Sequence, residues 1–198
     1  MWGDLFVRTS NVRLRGLQLQ VTSVTDRKYQ RRRGLTAAAL FTDRYVHKLE
    51  LRMPPVVVVI IAGFLMWLAA RYVPALGFHF PFQPIVAWVI WLSGFLGAAL
   101  GFIEFRRAKT TVNPTKPGSA SSLVRTGIYR HTRNPMYFGF LLVLIGCAIL
   151  VANFAAFLVL PVFIIYMNRF QIEPEERALM AIFGNEFKDY CRAVRRWV

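Results

Sequence analysis

Three stretches of this 198-residue chain carry no formal charge: residues 54–70, 85–103 and 134–167. A hydrocarbon layer admits only backbone that satisfies its own hydrogen bonds, and a helix needs about 20 apolar residues to cross it. Pro54–Val73, beginning PPVVVVIIAGFLMWLAA, has that length, and its leading prolines fall at a helix start, where a missing N–H does no harm. Ile85–Ile103, IVAWVIWLSGFLGAALGFI, also has it, with Trp88 and Trp91 toward the end where interfacial aromatics gather. Residues 136–167 are too long for one crossing and fit two short ones, with arms at Met136–Val151 and Phe154–Met167 and Asn153 at the turn. The expected fold is an all-α integral membrane protein with about four transmembrane helices, the last two forming a C-terminal helical hairpin.

The charge excluded from these spans collects between them. The chain holds 25 Lys/Arg against 10 Asp/Glu, a net charge of +15, with hydrophobic residues at 56%. A nucleic-acid reader gathers basic charge on a polar folded face, whereas here basic segments alternate with uncharged spans. The expected partner is therefore the lipid bilayer and not nucleic acid. Residues 104–133 are strongly basic, while residues 71–84 carry only Arg71, so the positive-inside rule assigns the 104–133 loop and both termini to the cytoplasm.

Residues 1–52 lack an apolar period and contain Arg31-Arg32-Arg33, which reads as a basic cytoplasmic arm ahead of a membrane domain at 53–198. An equal reading starts the natural chain at Met53. No compact apolar segment near the N-terminus suggests a cleavable signal peptide. Cys147 and Cys191 form neither a disulfide framework nor a metal site. Gly94, Gly97 and Gly101 lie on an apolar span rather than after a strand, so they cannot form a dinucleotide-binding turn; Gly97 and Gly101 are expected to admit a neighbouring helix.

Two polar motifs flank the hairpin: TGIYRHTRNPMYFG at residues 126–139 and NRFQIEPEERALMAIFGNEFKDYCRAVRRW at residues 168–197. The hairpin returns both to one membrane face. Each has a plain structural reading. Glu175 and Glu176 follow Pro174 and suit the first turn of a helix, where the macrodipole favours acids by about 0.3–1 kcal/mol. Arg130 and Arg133 suit interfacial anchors, and Asn134-Pro135 suits a turn leading into a helix. Their order about one hairpin instead points to a shared site.

Arg133, Asn134, Pro135, Tyr137 and Gly139, then Glu175, Glu176, Leu179, Phe183, Gly184, Glu186, Phe187 and Tyr190, form a pattern that resembles the isoprenylcysteine carboxyl methyltransferase and phospholipid methyltransferase family. The likeness runs from about Thr110 to Trp197, and more weakly over the two preceding spans. It implies an S-adenosylmethionine-dependent methyltransferase, a bacterial-type member in the inner membrane, acting at the cytoplasmic face on a lipophilic or small acceptor (carboxylate, amine or thiol). The chain has no alternation of strand and helix, so the cofactor site must be built from helices and loops.

The same resemblance implies Arg133 and Glu176 as the catalytic pair, with Arg130, His131, Asn134, Pro135, Tyr137, Gly139, Glu175, Glu176 and Tyr190 around the cofactor. Arg130 and Arg133 would meet its carboxylate, Glu175 and Glu176 its ammonium or ribose, and Tyr137 a flat face. His131 would position either ligand. Asn134 stands where eukaryotic prenylcysteine enzymes have His, and Gln171 where they have a basic residue, so a prenylcysteine is not the expected acceptor. Two other readings share the architecture: an NADPH-dependent membrane reductase with a related tail, and a non-catalytic membrane scaffold. After Glu176 the sequence is amphipathic, with Leu179, Ile182 and Phe183 on one face, a break at Gly184, and Phe187, Cys191 and Val194 resuming the stripe. This is expected to be a cytoplasmic helical tail that lies on the membrane surface and closes over the cofactor.

Overall fold

Uncharged runs become helices wherever the computed structural model describes them, which is over residues 50–108 and 122–198. The arm expected over residues 1–49 and the centre of the basic loop, residues 109–121, lie outside the described residues. The first two runs form α1 (Pro55–Tyr72) and α2 (Gln83–Arg107), both with proline in the first turn. The third forms α3 (Pro135–Leu150), α4 (Phe154–Phe157) and α5 (Val159–Met167). The break at Leu158 has a local cause: Pro161 has no N–H to offer Phe157 one turn earlier.

Beyond α5 the rod does not stop. A π-turn, Asn168–Ile172, leads directly into α6 (Glu173–Phe183), and every flanking residue keeps helical dihedrals. Pro174 again removes a donor, this time from the Phe170 carbonyl, and the Leu51 N–H supplies the missing bond at 3.0 Å. Gly184, at φ +52°, ends α6, and α7 (Asn185–Ala193) follows. Three helical rods, Pro55–Tyr72, Gln83–Arg107 and Phe154–Phe183, are long and apolar enough to cross a membrane. α3 is apolar too, but its 16 residues reach only about 24 Å. No strand occurs among the described residues beyond one isolated bridge between Gly77 and Asn153.

α2 and α3 run antiparallel and close together, and small residues make that approach possible. A Cβ at Gly139 would lie 2.5 Å from the Gly94 carbonyl oxygen and 2.7 Å from the Ala98 nitrogen, and one at Gly146 would meet Trp91 Cβ at 2.8 Å. Gly101 faces Met136 and Pro135 in the same way. The expected pair was Gly97 and Gly101; the seam instead uses Gly94 and Gly101, two turns apart, because Gly97 is rotated off it and has only the Gly139 Cα at 4.0 Å.

At the far end of the bundle Asn153 fixes the hairpin as expected. Its Oδ1 accepts from the Ala155 N–H and its Nδ2 donates to the Val73 carbonyl, both at 2.8 Å. The buried centre joins Ala62 and Met66 of α1, Tyr137, Leu144 and Ala148 of α3, and Phe163 and Met167 of α5. The opposite faces remain apolar and exposed: Ile60 and Phe64 on α1, Val89 and Phe95 on α2, Val162 and Ile165 on α5. A surface of this kind is stable only against lipid. The chain is an integral membrane protein.

Candidate functional site

Among the described residues every Asp, Glu, Lys and Arg except Arg71 lies at one end of the bundle, the end where α3 begins and the π-turn departs from α5. There the two flanking motifs meet. Arg133 immediately precedes α3 and directs its Nη2 to Glu176 Oε1 at 3.1 Å, with the Arg133 side chain 14% exposed and that of Glu176 20%. Arg196, from the C-terminal segment after α7, grips the same carboxylate with two nitrogens, Nη2 to Oε2 at 2.7 Å and Nε to Oε1 at 3.3 Å. Two guanidinium groups thus share one acid, in geometry stronger than a single charged contact.

Glu175 faces the other way. It accepts a hydrogen bond from the Tyr137 hydroxyl at 2.5 Å. Adjacent residues on a helix point about 100° apart, so one acid is turned to the core and the next to the arginines. Neither acid owes its place to a helix start, because the rod runs unbroken through Pro174. Tyr137 itself is buried within the central cluster. It therefore does not present a ring face to a ligand; its hydroxyl holds Glu175.

The chain's last residues are laced across the first motif. The Arg133 N–H donates to the Arg195 carbonyl at 3.0 Å, and Asn134 Nδ2 to the Arg196 carbonyl at 2.9 Å. Thr132 Oγ1 adds a third bond, to the Arg196 carbonyl, and Trp197 Nε1 donates to Asn168 Oδ1. Tyr190, buried on α7, donates its hydroxyl to the Tyr129 carbonyl at 2.7 Å, tying α7 to the short 3₁₀ turn Gly127–Arg130. Burial pushes the Tyr190 hydroxyl well above its ordinary range, against the opposing effect of Arg133, so the hydroxyl stays a donor.

An open groove of about 670 Å³ runs beside this knot, lined by Glu173, Glu176, Arg177, Met180, Phe187, Cys191 and Arg196. That volume is in the range of small-molecule sites, about 300–1,000 Å³. Burial raises the Cys191 thiol, opposed by Arg133, so the groove presents it as a neutral SH. One polar atom of the knot is left over: Arg133 Nε is buried with no acceptor among the described residues. Buried donors are normally paired, and this one marks a place where an acceptor is wanted.

Of the residues expected at the site, the structure brings together Arg133, Asn134, Tyr137, Glu175, Glu176 and Tyr190; of these Glu176 is on the wall of the groove, and the others lie behind it. Pro135 starts α3 and is packed against Gly101. Gly139 sits in the α2–α3 seam, against Gly94 and Ala98. Arg130 and His131 are exposed on and after the 3₁₀ turn and do not line the groove. Sequence reasoning missed Arg196, Thr132, Asn168 and Glu173; the only local signal was the dibasic Arg195-Arg196 before Trp197, whose partners are distant in the chain.

Comparison with known proteins gives two findings. A family model described as phospholipid methyltransferase matches residues 82–186, more than half of the chain. Over 63 residues, 32% of this chain, the sequence is 40% identical to the whole length of an uncharacterized protein of Haemophilus influenzae.

Proposed function

The chain belongs to the phospholipid methyltransferase family, and from that footing we propose that it is an S-adenosylmethionine-dependent methyltransferase whose cofactor occupies the groove beside the Arg133–Glu176–Arg196 knot. The observation that carries this reading is a groove walled by two acids, two arginines and apolar surface, with the buried, acceptor-less Nε of Arg133 behind the acid Glu176 that it shares with Arg196. S-adenosylmethionine presents a carboxylate, an ammonium, ribose hydroxyls and a flat heterocycle, and the donor set fits each. Arg196, on the groove wall with Arg133 behind it on the shared acid Glu176, suits the carboxylate, Glu173 and Glu176 the ammonium or ribose, and Met180 and Phe187 the heterocycle. When bound, the cofactor supplies an electrophilic methyl group on a good leaving group. The protein's own task is then to desolvate and align. Tyr137 serves by locking Glu175, and Asn134 and Thr132 by holding the C-terminal segment over the site.

In the bilayer we place the charged end in the cytoplasm, in keeping with the positive-inside rule, and count α3 as a short fourth crossing that pairs with α5. Both termini and the α6–α7 tail are then cytoplasmic, in a bacterial inner membrane. A lipophilic acceptor reaches the site sideways through the apolar faces of the helices. An acceptor carboxylate or thiolate needs no base, whereas an ammonium must first lose a proton. The test is incubation of membranes carrying the protein with methyl-labelled S-adenosylmethionine, followed by mass spectrometry of lipids and small metabolites. A labelled product that depends on the protein is expected; its absence from every fraction contradicts the assignment.

A further inference from the structure

Glu173 and Arg177 stand four residues apart on α6 with the acid first, the arrangement a helix favours for an ion pair, and both line the groove. Arg177 does not take that partner. Its Nη2 reaches Glu50 Oε2 at 2.5 Å, and Glu173 is left with a long contact of 3.7 Å to Arg169 Nη1. Glu50, only 8% exposed at its side chain, also holds Arg169 Nη1 at 2.8 Å. The segment that carries Glu50 is docked on the π-turn by two bonds independent of its carboxylate: Leu51 N–H to the Phe170 carbonyl, and Gln171 Nε2 to the Met53 carbonyl at 2.7 Å. Gln171 is thereby committed to the backbone and is not turned to the groove.

We propose that Glu50 is a positioning residue for the groove: it draws Arg177 away from Glu173 and so keeps that acid open to a cationic group of the ligand. This role rests on reading the groove as the cofactor site. Without Glu50, Arg177 falls back on Glu173, its neighbour one turn earlier, and competes with the ligand's ammonium. Because the Leu51 and Gln171 bonds persist, the segment stays docked when the charge is removed.

The experiment is titration of the full chain in lipid nanodiscs with S-adenosylmethionine, for wild type, Glu50→Gln and the double variant Glu50→Gln/Arg177→Gln. Glu50→Gln is expected to weaken binding roughly fivefold at low salt, the scale of one partly exposed ion pair. The gap should narrow at about 0.5 M salt, where exposed charges are screened, which a purely packing role would not do. Removing Arg177 as well should recover most of the loss. Wild-type affinity in Glu50→Gln, or a double variant as weak as the single one, overturns the role. Failure of the wild-type protein to bind S-adenosylmethionine overturns the cofactor reading itself, so the control separates the two failures.

Discussion

Gly139→Leu is expected to prevent α2 and α3 from closing on one another. Even the first added carbon meets backbone: the Gly94 oxygen at 2.5 Å and the Ala98 nitrogen at 2.7 Å, atoms that move only if a whole helix moves. Gly139→Ala should already cost about 1–3 kcal/mol, and leucine more, since overpacking a tight seam forces the helices apart. Gly97→Ala is the matched control, on the same span with no atom closer than 4.0 Å, and it should be neutral or slightly stabilising through helix propensity. Unfolding titrations in mild detergent distinguish these variants. Equal damage at both positions would mean that the seam is not where the helices meet.

The second large effect is at Glu176. Glu176→Gln leaves two guanidinium groups without their shared acid, one of them on Arg133, whose side chain is only 14% exposed. Discounted for the 20% exposure of Glu176, the loss of stability is about 1–3 kcal/mol. S-adenosylmethionine affinity should fall by about 10- to 100-fold, the range for losing a charged hydrogen bond. Because Arg196 is also released, trypsin should cut after Arg195 and Arg196 faster in the variant. Unchanged affinity and unchanged protection would return Glu176 to an ordinary surface acid.

The residues show why some of this was legible in the sequence. α1 was expected at Pro54–Val73 and runs Pro55–Tyr72, because the absence of charge and the leading prolines are local properties. Asn153 declared the hairpin for the same reason: its cap is made to a residue two positions on. Gly97 was misassigned to the seam because composition says that a helix can be approached, not from which side. Pro174 ahead of Glu175 and Glu176 is a local signal for a helix start; the donor that lets the rod continue, Leu51, is 119 positions before the carbonyl it meets. Arg196 and Glu50 were invisible for the same reason, since each acquires its role from partners 20 and 119 or more residues away. Local chemistry announces elements and their caps, while the closure of the site is a property of the folded chain.

Whether the charged end of this membrane bundle holds S-adenosylmethionine is open to direct measurement. Calorimetric titration of the purified full chain with S-adenosylmethionine and, separately, with NADPH tests it most directly. Saturable one-to-one binding of the first and none of the second is the expected result. Binding of NADPH alone, or of neither, would contradict it.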